Sequence, residues 1–154
     1  MNKENELSCV VSGSIRKFKP EIDTTIDEFT ALGVRVLSPE KGWILKPQWR
    51  IVTLEDSQFR RLPGEKGMSI REIEDHFLKC LAGSHFVYIE NPEGYAGIIV
   101  SMETGFAMAL GKPVYSRYPI SSELDPDPLW KQRISQVQVL TPEQVVMEYH
   151  KRSS

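Results

Sequence analysis

The sequence predicts a single α/β domain: a doubly wound, five-stranded parallel sheet covered by helices on both faces. Three observations predict it. Short apolar runs recur along the chain, of the kind that form strands buried on both sides. Between them lie segments whose apolar residues fall at helical spacing. Strand-like and helix-like segments alternate over 154 residues, enough for one substantial core, with no internal repeat and no low-complexity linker to mark a second domain.

The first run, Leu7 to Val11, leads into Ser12-Gly13-Ser14, as a buried strand leads into a loop. Ile22, Ile26, Phe29 and Leu32 mark a helix from Pro20 to Leu32, stopped by Gly33, and Val34 to Leu37 forms the second strand. From about 39 to 67 the periodicity dissolves among Pro, Gly, Trp and charged residues, with only Arg50 to Leu54 strand-like. So long an irregular stretch in a compact domain reads as a lid-like insertion, its Arg60-Arg61 pair as a solvated face. Ile70, Ile73, Phe77 and Leu81 space out a helix over Ser69 to Leu81, and His85 to Ile89 is the third strand. The loop Glu90 to Gly97 opens a helix from Ile98 to Leu110, which Gly111-Lys112-Pro113 closes before a fourth strand at Val114-Tyr115. After a polar, Pro-rich connection, Val137 to Leu140 is the fifth strand. Thr141-Pro142-Glu143-Gln144 then supplies an N-cap, a first-turn proline and an N3 glutamine for the last helix.

Composition excludes several function classes. With 40% hydrophobic and 26% charged residues and a formal net charge of −2, the chain lacks the basic footprint of a protein that binds a nucleic-acid polymer or an anionic membrane. The opening MNKENELS has no apolar h-region, and no run approaches the length of a membrane span, so the expected location is cytoplasmic. Cys9 and Cys80 have neither a pairing framework nor metal-ligand spacing and read as reduced packing residues. Neither a metal nor a cofactor is expected.

Ligands of doubly wound sheets bind beyond the carboxyl ends of the strands. Two segments should therefore converge at one rim: Ser12 to Lys17, and Glu90 to Glu103. Within the latter, a helical projection places Ile99, Phe106, Ala107 and Leu110 in one arc of about 100°, and Glu103 falls inside it. A buried, unpaired carboxylate is costly. Either Glu103 is held there for a substrate, or it lies at a wet edge or pairs with a base such as Arg16.

Gly94-Tyr95-Ala96-Gly97, then Glu103-Thr104-Gly105-Phe106-Ala107, then Gly111-Lys112-Pro113-Val114, resemble the signature of the nucleoside 2-deoxyribosyltransferase-like proteins, small flavodoxin-like enzymes that cleave N-glycosidic bonds. Gly13-Ser14-Ile15-Arg16 is similar to the corresponding loop of the related nucleoside-monophosphate N-glycosidases. The order of elements matches over nearly the whole chain, while the specific motif is confined to 91–115 and, more weakly, 12–16. The resemblance implies a nucleoside or nucleotide ligand, Glu103 as nucleophile, and a homodimer or higher homo-oligomer in which a neighbouring subunit completes the site. It also implies an acidic contact to the sugar hydroxyls, near Asp75. The chemistry suits Glu103, because cleavage of a C1′–N bond passes through an oxocarbenium-like state that a carboxylate stabilises or captures.

Other residues follow from that expectation. Ser12, Gly13, Ser14 and Arg16 end a strand and start a helix, where hydroxyls and free N–H groups hold a phosphate or a ribose hydroxyl. Ser101 is either a further ligand of the 5′ group or a helix cap. Tyr95, Trp43 and Trp49 are aromatic surfaces for a base, though tryptophans more often serve the core. Met68, Met102 and Met108 suit a partner surface or the chain's own core. The chain also departs from the pattern. The family's Asp six residues before the nucleophile, which manages protons on the leaving base, is Gly97 here, leaving Glu93 or Glu90 on the same loop, or Asp75, as substitutes in a catalytic role. The strand that usually opens with Asp opens with Ser84-His85. The alternatives are a non-catalytic nucleotide-binding module that has lost its base-protonating acid, and an NAD-type glycohydrolase.

Overall fold

A computed structural model describes residues 6–45 and 64–153. Trp49, Arg60, Arg61, the strand expected at Arg50 to Leu54 and most of the lid-like insertion lie outside the described residues.

The first strand, β1 (Ser8–Ser12), is buried along its whole length and leads into α1 (Ile15–Ala31). Helix α1 starts earlier than its apolar spacing suggests. Phe18 breaks the helical geometry at φ −130 and ψ 26, so Pro20 falls in the first turn of the main segment, where its missing N–H leaves no helical bond unmade. Strand β2 (Arg35–Ser38) follows. Beyond a one-turn 3-10 helix (Gly64–Gly67) comes α2 (Ile70–Ala82), opened by a capping box between Ser69 and Glu72. Strand β3 (Phe86–Ile89), the short 3-10 turn Pro92–Gly94, α3 (Ile98–Ala109) and β4 (Val114–Ser116) complete the central layer.

The polar connection expected after β4 contains a helix of its own, α4 (Pro128–Ile134). Asp127 caps it by accepting from the backbone N–H of Leu129 at 2.8 Å and of Trp130 at 3.2 Å, with Pro128 in the first turn. The fifth strand is shorter than its apolar run, β5 (Gln138–Val139). Helix α5 (Pro142–Ser153) starts as its sequence dictates. The Thr141 hydroxyl accepts from the Gln144 N–H, and the Gln144 side chain accepts from the Thr141 N–H.

All five strands run parallel in the order β2-β1-β3-β4-β5, the flavodoxin-like arrangement. Side chains alternate between two cores. Cys9, Val11, Phe86, Tyr88 and Tyr115 pack toward α1 and α5 with Phe29 and Val145. Val10, Val87, Ile89 and Val114 pack toward α2 and α3 with Phe77, Leu81, Val100 and Ala107. Both cysteines are free; Cys9 is fully buried, and burial pushes its thiol pKa up, as suits a packing residue.

The face of α3 that meets the sheet is not the one its projection selects. Ile99, Phe106 and Leu110 are 47%, 37% and 46% exposed, and the buried side consists of Val100, Ser101, Glu103, Thr104 and Ala107. Apolar residues occupy nearly every side of this helix, so local periodicity cannot choose among them. Ile98 and Met102 join the exposed side, whereas Met68 and Met108 are half-buried, Met108 against the second core. Among the described residues no helix is long and apolar enough to cross a membrane.

Candidate functional site

The reversal of strand order between β1 and β3 opens a crevice at their carboxyl ends. Ser12, the last residue of β1, pairs in register with Ile89, the last of β3, and the Glu90 N–H donates to the Ser12 carbonyl at 2.8 Å. The two loops then pinch together at Gly13. A Cβ there would stand 2.8 Å from the Glu90 carbonyl oxygen and 2.8 Å from the Ile22 Cδ1, so this position takes only glycine without a shift of its neighbours. The two segments expected to converge at one rim therefore do so.

Two periodicities bring Ser12 and Glu103 together. Ser12 lies two residues beyond Val10 in β1, so its side chain points to the α2 and α3 face. Glu103 stands three residues after Val100 and four before Ala107, on the side of α3 that packs against that face. The Ser12 hydroxyl donates to Glu103 Oε1 at 2.7 Å, and Glu103 is only 4% exposed. Glu103 therefore does not lie at a wet edge of its helix.

Its other neighbour is a second carboxyl. Glu74 shares a stripe of α2 with Phe77 and Leu81, and its side chain reaches Glu103. Burial first, and the charge and hydrogen bonding of Glu74 next, hold the Glu103 carboxyl well above the usual carboxylate range; the Ser12 hydrogen bond acts in the opposite direction. Like charges this close cannot both ionise without penalty, so the pair retains a proton at pH values where an isolated carboxyl has lost it. Glu74 is not among the residues that the sequence singles out. Asp75, the expected acid, lies about 100° further round the helix and is exposed.

The remaining expected residues lie on the same two segments of the rim. Ser14 is the N-cap of α1 without a side-chain capping bond, and Arg16 is exposed on the first turn. Tyr95 is half-buried, its ring 6.3 Å from that of Phe18 in an edge-on contact, with Lys17 Nζ 4.0 Å above it. Gly97 is the N-cap of α3 and brings no side chain to that helix start. Ser101 is buried, donates to the Gly97 carbonyl at 2.9 Å, and lies 3.2 Å from the Ser122 hydroxyl, a residue on the β4 loop that the sequence did not single out. That loop is held in place by Asn91, which bonds the Tyr118 backbone in both directions, and by a bridge between Tyr95 and Ser121.

Of the two loop substitutes for the missing acid, Glu90 is already engaged elsewhere. Glu90 is buried on the opposite face, where it accepts from Thr25 and, at 2.7 Å, from Arg117 Nε, whose other branch meets Glu28 at 2.8 Å. Glu93 is exposed and sits at φ 60, a left-handed conformation uncommon for a non-glycine residue. Trp43 serves the β2 loop. Its indole N–H donates to the buried Glu65 at 3.0 Å, and the buried Lys19 ammonium lies 4.4 Å above its ring.

A cleft of about 340 Å³ between β4, β5 and α4 is lined by Ser116, Ile120, Lys131, Ile134 and Val139, and shares no residue with the carboxyl pair. No cluster of three His, Cys, Asp or Glu side chains able to hold a metal occurs among the described residues. Compared with known proteins, the chain matches no family model and no curated protein.

Proposed function

We propose that this protein binds a nucleoside or nucleotide at the β1–β3 crevice and cleaves, or transfers at, its N-glycosidic bond, with Glu103 as nucleophile. The observation that carries the reading is the buried Glu103 carboxyl at the carboxyl edge of the sheet, oriented by Ser12 and paired with Glu74. In this mechanism a Glu103 oxygen bonds to C1′ as the C1′–N bond breaks and its electron pair passes to the base. Water then displaces the carboxylate from C1′, its hydroxyl remaining on the sugar and its proton ending on the base. When a second base takes the place of water, the product is a new nucleoside. The low-dielectric surroundings of Glu103 strengthen its interaction with the developing positive charge.

Ser12, Gly13, Ser14 and Arg16 would hold the phosphate or ribose end, Ser101 and the start of α3 would hold the 5′ group, and Tyr95 would face the base. The exposed stripe Ile98, Ile99, Met102, Phe106 and Leu110 supports assembly into a homodimer or larger homo-oligomer, because contiguous apolar surface of this kind favours a partner. The setting proposed is cytoplasmic. A second reading, a nucleotide-binding module without turnover, draws on Gly97, which offers no acid to the leaving base.

The test incubates the protein with nucleosides, their 5′-monophosphates and NAD, and measures free base by chromatography. Release of base by the wild type, and its loss in Glu103→Gln with the fold intact by circular dichroism, supports the reading. Full activity in that variant would remove Glu103 from the mechanism. Binding without release selects the non-catalytic module, and release from NAD alone selects an NAD-type glycohydrolase.

A further inference from the structure

We propose that the Tyr95 hydroxyl delivers the proton to the departing base, at the helix start that Gly97 leaves without an acid. The inference rests on the N-glycosidic reading of Glu103.

The reaction requires such a donor. A base that leaves C1′ with the electron pair of the bond departs poorly as a bare anion, and a side chain that protonates it in the transition state accelerates the step by about 10²- to 10⁴-fold. Glu103 cannot do both tasks, because a nucleophile approaches C1′ from the face opposite the base. Gly97 has no side chain, and Glu90 is held on the far face of the sheet by Thr25 and Arg117.

Tyr95 meets the requirement by its position. A Cβ at Gly97 would stand 3.3 Å from the Tyr95 phenolic oxygen, 3.6 Å from its Cε1 and 3.7 Å from its Cζ. The phenol therefore occupies the space into which a side chain at 97 would grow, and glycine leaves room for it. The ring is held in place from the other segment of the rim: Phe18 meets it edge-on at 6.3 Å, and the Lys17 ammonium lies 4.0 Å above its face. Tyr95 thus reaches from the start of α3 to the first turns of α1. Its hydroxyl makes no hydrogen bond to the described residues. Glu74 Oε1 is the one buried side-chain nitrogen or oxygen without a partner among them, so the Tyr95 hydroxyl is open to solvent. A ring already engaged by Phe18 and Lys17 presents this hydroxyl to a ligand.

The spacing suits a nucleobase. Gly97 and Glu103 are six residues apart, about 9 Å of helix rise. In retaining glycosidases the two catalytic groups stand only about 5–5.5 Å apart, because the acid protonates the glycosidic atom itself. A nucleobase takes its proton on a ring nitrogen or carbonyl oxygen beyond the glycosidic nitrogen, which calls for a wider span. As the C1′–N bond breaks, its electron pair moves onto the base and the phenolic proton passes to that base. The phenolate then takes back a proton from the water, or from the incoming base, that displaces Glu103 from C1′.

The experiment measures kcat for the wild type, Tyr95→Phe and Glu93→Gln on paired 5′-monophosphates, in ribo and 2′-deoxy form: uridine with 5-fluorouridine, adenosine with 2-chloroadenosine, and guanosine with 7-methylguanosine. The second base of each pair leaves more readily and needs the proton less. Tyr95→Phe keeps the ring and removes only the hydroxyl. On the first member of a cleaved pair this variant should lose about 10²- to 10⁴-fold in kcat, and on the second a loss smaller by about threefold or more. Both values come from a single preparation, so an unfolded fraction cancels. Equal losses on the two members, which a purely structural role of the hydroxyl would give, overturn the assignment. A loss within about twofold on the natural nucleotide, or a leaving-group dependence that appears in Glu93→Gln instead, overturns it as well while leaving the reaction standing. If the wild type releases base from none of these probes, nor from nucleosides or NAD, the N-glycosidic reading is overturned and this inference falls with it.

Discussion

Replacing Glu103 by glutamine should stabilise the protein at neutral pH, and the size of the effect should grow with pH. The amide keeps the shape of the side chain and an oxygen for the Ser12 hydroxyl, which donates to Glu103 at 2.7 Å in the wild type. Its nitrogen can donate toward Glu74, whose Oε1 is buried and bare. The substitution removes a charge that burial and Glu74 both disfavour. The folded-state pKa of Glu103 is raised above its unfolded value. Its contribution to stability is therefore fully present below the unfolded pKa and is lost as pH rises through the folded one. Across that window the wild type loses about 1.4 kcal/mol of stability for each pH unit, relative to the variant. One unit corresponds to about 3–6 °C in Tm for a chain of this size. Urea unfolding of both proteins from acid to mildly alkaline pH measures the difference. The curves should meet near the ordinary carboxylate pKa and separate above it, with the glutamine protein the more stable. Parallel curves, or a glutamine variant that is the less stable at pH 8, would refute the idea that Glu103 is held against its charge.

In the proposed mechanism the same pair sets the pH dependence of turnover. If Glu103 is the nucleophile, only its carboxylate form attacks, so the acidic limb of kcat should lie above the usual carboxylate range and move down in Glu74→Gln, which removes the repelling charge; an unmoved limb contradicts the coupling. Gly13→Ala should cost about 1–3 kcal/mol in urea unfolding, because its Cβ would press on the Glu90 carbonyl 2.8 Å away; a loss under about 0.5 kcal/mol would mean that the crossing yields easily. Arg16→Ala should weaken monophosphate binding by about 10-fold or more and nucleoside binding little, and equal losses by calorimetry would argue against a phosphate role. Light scattering should give a mass above that of one chain for the wild type and a lower mass for Ile99→Asp; a wild type that runs as a single chain removes the oligomer.

The sequence by itself determined the alternation of strands and helices, the single parallel sheet and the rim where Ser12 and Glu103 meet. These follow from local period and short-range signals, such as the Thr141 to Gln144 cap and the glycines that end helices, and they need no knowledge of packing. It also singled out Glu103, because a charge within an apolar helix is conspicuous in one dimension. Only the tertiary structure decided which side of α3 faces inward, since a helix apolar nearly all round has no preferred side until a neighbour covers one. It separated Glu74 from Asp75, adjacent in sequence but about 100° apart around α2. It also gave Glu90 to Arg117, on the far face of the sheet from Glu103. Each of these is a pairing between elements far apart in the chain. The energy that fixes it comes from burial and charge across a packed interface, which no window of sequence contains.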